Sequence, residues 1–144
     1  MKLEDQLTSF ELSKKLKELG VKQDSLFCWT SDIDLEYLPT DIRNNNSCIA
    51  AFSVAEHGER LPSYYKPKHA LLMEKIENLY FVSYRLNGTF KDSITFHDKK
   101  EADVRAKMRI YLLENGLITN EWLFAIILIA IFNFKPFERE NRNE

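Results

Sequence analysis

The chain has 144 residues, about the length of one domain. It carries 20 Lys and Arg against 22 Asp and Glu, a formal net charge of -2, and 44% of its residues are hydrophobic. These values exclude a wholly disordered chain, a collagen-like fibre and a disulfide scaffold. They also exclude the broadly basic surface that holds nucleic acid, so we do not expect nucleic acid as a partner.

The first predicted element is a helix over residues 8–20. Thr8 and Glu11 fit a capping box, in which each side chain binds the backbone N–H of the other residue. Gly20 is typical of the left-handed residue that ends a helix, and Val21 can then fold back onto the last turn in a Schellman motif.

Extended structure is predicted next. Residues 25–30 are aromatic and apolar, which favours a strand, and residues 48–52 read in the same way. Residues 31–47 between them carry Asp, Pro and a run of Asn, which is typical of a loop. A short extended piece is predicted within that loop at residues 36–38.

Cys28 and Cys48 lie in these apolar stretches and do not form a CxxC motif. We predict that both are buried free thiols in a reducing compartment. Residues 1–6 contain acidic side chains where a signal peptide would need a basic start and an apolar stretch. Both features predict a cytoplasmic location.

A second capping box is formed by Ser53 and Glu56, and it predicts a short helix over residues 54–60. Pro62 ends this helix. Residues 62–68 hold two of the four prolines, which predicts a loop because two backbone donors are missing.

Residues 69–78 fit either a helix or a strand, and the strand is favoured because clear strands follow. Residues 79–86 alternate in hydropathy and predict a strand. Asn87-Gly88 is a strong hairpin signal, because both residues tolerate positive φ angles. Residues 89–97 are predicted as the partner strand.

A third helix is predicted over residues 99–115, with Asp98 and Glu101 as its cap and Gly116 as its end. The elements together predict one α+β domain over residues 1–118. Two main helices would cover one face of a small antiparallel sheet of four to five strands. Those strands are residues 25–30, 48–52, 79–86 and 89–97, with 70–76 as the fifth.

Three blocks of sequence resemble small uncharacterised proteins encoded by bacteriophages, prophages and other bacterial mobile elements. All three lie within residues 9–118. They are LSKKLKELGVKQDSLF at 12–27 with Trp29; AFSVAE at 51–56 with Gly58-Glu59 and Leu61-Pro62; and EAD at 101–103 with RAKM at 105–108 and IYLLENGLI at 110–118. The resemblance implies an accessory protein of such an element and implies no particular activity.

The chain departs from that group after residue 118. Residues 119–144 form an extension with an uninterrupted apolar run at 122–132, here called the apolar run, and a polar end. As a helix the apolar run would span ~16 Å, about half of a ~30 Å hydrocarbon core. It could be an interior element of the domain, a membrane-associating segment over residues 117–134, a self-association surface that makes a homo-oligomer, or a tail acquired at a gene boundary.

His57 stands between Glu56 and Gly58 with Glu59 nearby, a grouping that can bind a metal or move protons. The spacing matches no zinc or metalloprotease motif, and we favour an exposed polar face on a short helix. We therefore expect no catalytic residue, metal or cofactor.

Tyr64 and Tyr65 lie in a loop bracketed by prolines and are the candidate partner-binding residues, because aromatic side chains are enriched in binding hot spots. The sequence thus favours a non-catalytic protein that acts by binding an unidentified partner protein. The alternatives are a small membrane-associated protein anchored by residues 117–134 and a metal-dependent enzyme that uses His57 and nearby carboxylates.

Overall fold

The computed structural model describes residues 2–30, 34–37, 48–66, 68–86 and 94–119, without the side chains of Tyr65 and Lys66. Within these ranges the chain has an α+β fold. The helices are a 3-10 turn at Leu3–Gln6, α1 at Phe10–Glu18, α2 at Val54–Arg60 and α3 at Glu101–Glu114. The strands are β1 at Phe27–Trp29, β2 at Leu35–Tyr37, β3 at Ile49–Ala50, β4 at Tyr64–Lys66, β5 at His69–Ile76, β6 at Leu79–Leu86 and β7 at Ile94–Asp98.

The strands form two antiparallel sheets, with orders β2-β1-β3 and β4-β5-β6-β7. The predicted single sheet of four to five strands is therefore wrong. The reason lies in β1, where Cys28 pairs with Glu36 on one side and with Ala50 on the other. Both edges of β1 are thus occupied, and the later strands pair with one another as a separate meander.

The predicted helix ends are confirmed, but the start of α1 is not. Gly20 has a φ of 76°, and Val21 N–H donates to Leu16 O at 3.0 Å, which is the Schellman motif. Gly116, with a φ of 62°, ends α3. At the start, Ser9 is the N-cap and the Thr8 side chain turns into the interior, so the capping box between Thr8 and Glu11 is wrong.

The second capping box is confirmed together with the helix that it predicts. Glu56 N–H donates to Ser53 Oγ at 3.3 Å, and Ser53 N–H donates to the Glu56 carboxylate at 2.6 Å. This reciprocal pair satisfies two backbone donors that the helix itself cannot use. The helix α2 has the bounds predicted for residues 54–60.

The start of α3 differs slightly from its prediction. The helix begins at Glu101 with Lys100 as the N-cap, and the Asp98 carboxylate accepts a hydrogen bond from Lys100 N–H at 3.2 Å. Asp98 therefore binds the backbone just ahead of the helix rather than forming a capping box with Glu101.

The predicted loop over residues 62–68 contains a strand instead. β4 pairs with β5, with Tyr64 opposite Ala70, and Leu71 N–H donates to Ser63 O at 2.9 Å. Pro62 precedes the paired residues, so its missing donor costs the ladder nothing. The strand preferred for residues 69–78 is confirmed by β5, and β6 has the bounds that alternation predicted.

The hairpin between β5 and β6 has a two-residue turn that the sequence did not mark. Ile76 pairs with Leu79 across Glu77 and Asn78, and Glu77 has a φ of 54°. The hairpin predicted at residues 87–88 lies outside the described residues. In the β6–β7 ladder, Tyr84 pairs with Ile94. A two-residue turn at residues 87–88 would instead pair Tyr84 with a residue three positions earlier in the chain.

Replacing Glu77 with glycine is expected to raise the free energy of unfolding by about 0.5–1 kcal/mol. A residue with a Cβ costs ~1–2 kcal/mol in the left-handed region, and glycine removes this cost. Glycine also loses more backbone entropy on folding than other residues, which offsets part of the gain. Urea unfolding measures the change. Glu77→Ala is the control, because it removes the carboxylate and keeps the Cβ. An equal gain in Glu77→Ala would contradict the backbone explanation.

The helix α3 lies between the two halves of the core. Its residues Val104, Met108 and Leu112 pack against Val82 and Tyr84 of the meander. Its other side packs on α1 and the segment around β3, through a cluster of Leu16, Val21, Ala50, Phe52, Ala106 and Ile110. One face of the four-stranded sheet is thus covered by α3.

The two cysteines form a disulfide, with their Cα atoms 5.8 Å apart. The prediction of free thiols is therefore wrong. The sequence could not show that β1 and β3 pair, which places Cys28 opposite Ala50 and brings Cys48, just before β3, beside it. The cysteines no longer support a reducing compartment, and a cytoplasmic location stays a prediction.

Candidate functional site

His57 lies in the interior of the protein. It is in the middle of α2, and its side chain is fully buried. The prediction of an exposed polar face around His57 is therefore wrong. The polar neighbours in sequence suggested a solvated turn, but α2 packs on α3, and this contact encloses one side of the short helix.

The carboxylates next to His57 in sequence are directed elsewhere. The Glu56 carboxylate accepts hydrogen bonds from Ser53 N–H at 2.6 Å and from Ser25 Oγ at 3.1 Å, while Glu59 is exposed. In the parts of the chain that the structure describes, no group of three or more His, Cys, Asp or Glu side chains could hold a metal ion. The geometry around His57 thus gives no support to a metal centre.

The hydrogen bonds of Thr8 determine which ring nitrogen of neutral His57 carries the proton. Thr8 Oγ1 donates its single hydrogen to Phe52 O at 2.9 Å. The contact of 2.7 Å between Thr8 Oγ1 and His57 Nε2 must therefore be donated by the imidazole. Neutral His57 then carries its proton on Nε2, and Nδ1 is a buried acceptor with no hydrogen-bond partner among the described residues.

Arginine side chains surround the same region. Arg60 and Arg109 stack over the Phe52 ring, with Cζ to ring-centroid distances of 4.9 Å and 5.4 Å. Arg60 also forms an ion pair with Asp24 at 2.6 Å. Burial is the main cause that lowers the pKa of His57 to about 3, and the positive charges of Arg109, Arg60 and Arg105 act in the same direction.

The arrangement around His57 is suited to holding elements together. Thr8 O accepts a hydrogen bond from Trp29 Nε1 at 2.8 Å, and Ser9 N–H donates to Asp103 at 2.7 Å. These bonds connect the start of α1 to β1 and to α3. A neutral, enclosed imidazole offers no route for a proton to solvent, so the geometry favours a structural role. The sequence marks Thr8 only as a helix cap, and it carries no signal that Thr8, Arg60 and Arg109 lie around His57 and Phe52, because most of these residues are far apart along the chain.

Tyr64 lies where a partner could reach it. Its side chain is 59% exposed on β4, an edge strand of the described sheet. The backbone before it is held by two contacts, because Ser63 O accepts from Leu71 N–H and Pro62 O accepts from the Tyr84 hydroxyl. Burial raises the pKa of Tyr84 above its ordinary value, so this donor stays neutral. The side chain of Tyr65 lies outside the described residues.

Tyr64 stands at the rim of a larger surface, the face of the four-stranded sheet opposite α3. We call it the outer face. Cross-strand register places Tyr64, Leu72, Ile76, Leu79 and Phe81 on it. Leu72 and Ile76 are exposed, and Leu79 and Phe81 are half-buried. The ion pair of Glu74 with Arg85 also lies on this face, and Ser83 near its centre is buried.

A cleft of about 490 Å³ opens at the other end of the sheet, between the 3-10 turn, the β5–β6 hairpin and the start of α3. Lys75, Lys99 and Lys100 line it together with Asp5 and Glu101. Lys75 Nζ already donates to the Tyr80 hydroxyl at 3.1 Å. The charges in this cleft largely cancel, and its lining selects no ligand class.

The predicted membrane segment over residues 117–134 begins inside the domain. Leu117 and Ile118 are half-buried and pack on the core beneath the meander, and Leu117 N–H donates to Leu112 O at 2.8 Å. Of the helices that the structure describes, none is long and apolar enough to cross a membrane. Residues 120–144, and with them the apolar run, lie outside the described residues.

Comparison with known proteins identifies no relative of this chain: no family model matches it, and neither a curated protein nor a solved structure is significantly similar. The class that the structure defines is an α+β domain with two antiparallel sheets and a central helix.

Proposed function

We propose that the protein is a non-catalytic accessory protein of a phage or mobile element, and that it acts by binding a partner protein through Tyr64. The resemblance of three sequence blocks supports the origin. The exposed ring of Tyr64 on an edge strand is the observation that carries the binding role. Tyrosine supplies a large contact area with few rotatable bonds, and hot spots are enriched in it.

The fixed backbone around Tyr64 favours binding for an energetic reason. A side chain that must be ordered on association costs ~0.5–1.5 kcal/mol of conformational entropy. The contacts of Pro62 and Ser63 already hold the backbone at the start of β4, so the separate cost of ordering that backbone is absent and the side-chain cost remains. The partner would offer an apolar recess for the ring and a polar atom for the hydroxyl.

Replacing Tyr64 with alanine is expected to weaken partner binding by about 30-fold, which corresponds to ~2 kcal/mol for a hot-spot residue. Tagged full-length protein would recover the partner from an extract of the bacterial host, and titration of the purified pair would give the dissociation constant. Tyr64→Phe is expected to retain most of the affinity, because it keeps the ring.

Tyr37→Ala is the matched control, because Tyr37 is 64% exposed on the other sheet. A partner that binds wild type, Tyr64→Ala and Tyr37→Ala equally would contradict the role of Tyr64. The proposed origin has a separate test, since the gene is expected to lie among phage or mobile-element genes.

A further inference from the structure

The four-stranded sheet has two edge strands, β4 and β7, and their outer edges differ. β4 is three residues long, its register shifts between Tyr64 and Lys66, and prolines stand at positions 62 and 67. Short length, irregular register and proline are features that prevent an edge strand from pairing with another chain. β7 has five residues in regular register and contains no proline. On this sheet, β7 is thus the edge that is suited to accept another strand.

The hydrogen-bond pattern of the sheet determines which backbone groups of β7 point away from β6. The backbone groups of successive strand residues point alternately to the two sides of the strand. Ile76 and Leu79 close the two-residue hairpin turn and form a hydrogen-bonded pair, so Leu79 points towards β5. By alternation Val82 points towards β7, where it pairs with Phe96. The N–H and C=O of Phe96 therefore point towards β6, and those of the residues on either side of it point outward.

Thr95 and His97 provide the outward-pointing groups, which are two N–H donors and two C=O acceptors. The hydrogen bond of 2.9 Å from Leu71 N–H to Ser63 O gives the same alternation from the other side of the sheet. The side chains of Thr95 and His97 are exposed on the outer face, and no described strand pairs with this edge. An open strand edge is a template on which a further strand can pair.

We propose that β7 pairs with β7 of a second copy of the chain, antiparallel about a two-fold axis at Phe96. Thr95 then stands opposite His97 of the second copy, and His97 stands opposite its Thr95. Because both are hydrogen-bonded pairs, the outward groups of each copy all find a partner. Asp98 stands opposite Ile94 in this register, so no like charges face one another across the axis. The dimer uses the same surface on both copies and joins the two sheets into one.

The helix α3 adds contact area to this interface. It lies over both β6 and β7, because it packs against Val82 while the ring centroids of Tyr111 and Phe96 are 5.8 Å apart. The axes of the two α3 helices are then about two inter-strand spacings apart, or ~10 Å, which is the distance between packed helices. The Lys107 ammonium on this flank of α3 is paired with the Asp98 carboxylate at 2.5 Å, so its charge does not oppose the contact.

The order already present in β7 favours a second copy over a flexible segment of another protein. The His97 ring packs against that of Phe81 with centroids 5.7 Å apart, and Phe96 is held by Tyr111. Two strands that are already formed lose little conformational entropy when they pair, whereas a flexible segment must be ordered residue by residue. Two-fold dimers are also the commonest homo-oligomers.

Sedimentation velocity of the full chain between about 1 and 300 µM tests the proposal. One strand pair flanked by two helices is a small interface, so we expect a dimer with a dissociation constant of about 10–100 µM. Thr95→Pro is expected to raise this constant at least ~10-fold, because it removes one outward donor from each copy and places a ring in the path of the second strand. The Thr95 N–H does not belong to the β6–β7 ladder, so this substitution leaves the bonds of the sheet in place.

Thr95→Val is the matched control, because it keeps both backbone groups and a β-branched side chain. It is expected to dimerise like wild type, and an equal loss in Thr95→Val would overturn the proposal. Amide hydrogen exchange followed by NMR gives a second test that needs no substitution. The amides of Thr95 and His97 are expected to exchange fast in the monomer and to become protected as the concentration of wild type rises.

A wild-type chain that stays monomeric at the highest concentration would overturn the proposal. A dimer that Thr95→Pro leaves unchanged would also overturn it and would assign the association to another surface. Protection of Thr95 and His97 that appears only with a purified partner protein would assign this edge to a segment of that partner. Tyr64 lies at the opposite edge of the sheet, three inter-strand spacings or ~14 Å away, so the dimer leaves it open and the two proposals fail independently.

Discussion

As the pH falls from 6.5, the pKa of His57 in the unfolded chain, to about 3, its pKa in the folded protein, the free energy of unfolding is expected to decrease. His57 alone contributes about 1.4 kcal/mol of this decrease for each pH unit. Within this window the unfolded chain binds a proton on His57 and the folded protein does not. Acid therefore favours the unfolded state. Above pH 6.5 neither state holds the proton, and the full contribution to stability is present.

The structure explains why His57 stays unprotonated in the folded protein within this pH range. The imidazole is fully buried, and the guanidinium groups of Arg109, Arg60 and Arg105 repel a second positive charge. The one bonded nitrogen, Nε2, already donates to Thr8. A proton on Nδ1 would add a buried donor that no described residue accepts.

The variant His57→Gln tests this linkage, because an amide can still donate to Thr8 and does not titrate. Urea unfolding at pH 4, 5, 6 and 7 gives the slope for each protein. We expect a shallower slope for His57→Gln than for wild type, whatever its stability at pH 7. His97→Gln is the matched substitution at a histidine that is exposed on β7, and it controls for the general effect of replacing histidine with glutamine. Equal slopes for wild type and His57→Gln would contradict the assignment.

Sequence reasoning succeeded where structure is decided by neighbours along the chain. The pair Ser53 and Glu56 specified the start of α2, and Gly20 and Gly116 specified the ends of α1 and α3. In each case the signal lies within one helical turn. Alternation of apolar residues likewise gave the bounds of β6.

Sequence-based prediction failed where a residue binds a segment that is distant along the chain instead of its local neighbours. Thr8 has the residue type and spacing of a helix cap, yet its hydroxyl binds Phe52 and His57, which are 44 and 49 residues away. A buried hydrogen bond to a distant segment outweighed a local cap that water can replace. The division into two sheets is similar, since it depends on β1 having partners on both edges.

The candidate site shows the same limit. The sequence predicts that Tyr64 is exposed in a loop, whereas the structure exposes it on an edge strand whose start is held by contacts of Pro62 and Ser63. The pairing of β4 with β5 could not be read locally, because prolines on both sides predicted a loop. The sequence therefore predicts that Tyr64 is exposed but does not predict the backbone structure on which it lies.

The disulfide is expected to supply about 3 kcal/mol of stability. Cys28 and Cys48 are 20 residues apart, and a crosslink that closes a loop of this size reduces the entropy of the unfolded chain by roughly that amount. The bond also connects β1, the central strand of the small sheet, to the residue just before the edge strand β3, so it crosslinks two strands that already pair. Adding a reductant to wild type should therefore lower the urea midpoint.

Cys48→Ala separates this effect from general effects of the reductant. Cys48 is half-buried, so its truncation removes little packing, whereas Cys28 is buried and would leave a cavity. Without reductant the variant is expected to unfold near the midpoint of reduced wild type, and reductant should not change it further. Thiol labelling of the unfolded, unreduced wild type should find no free thiol. Two labelled thiols in the wild type would contradict the assignment, because reduced cysteines leave the unfolded chain unconstrained. An equal shift of the urea midpoint of wild type and Cys48→Ala by reductant would also contradict it.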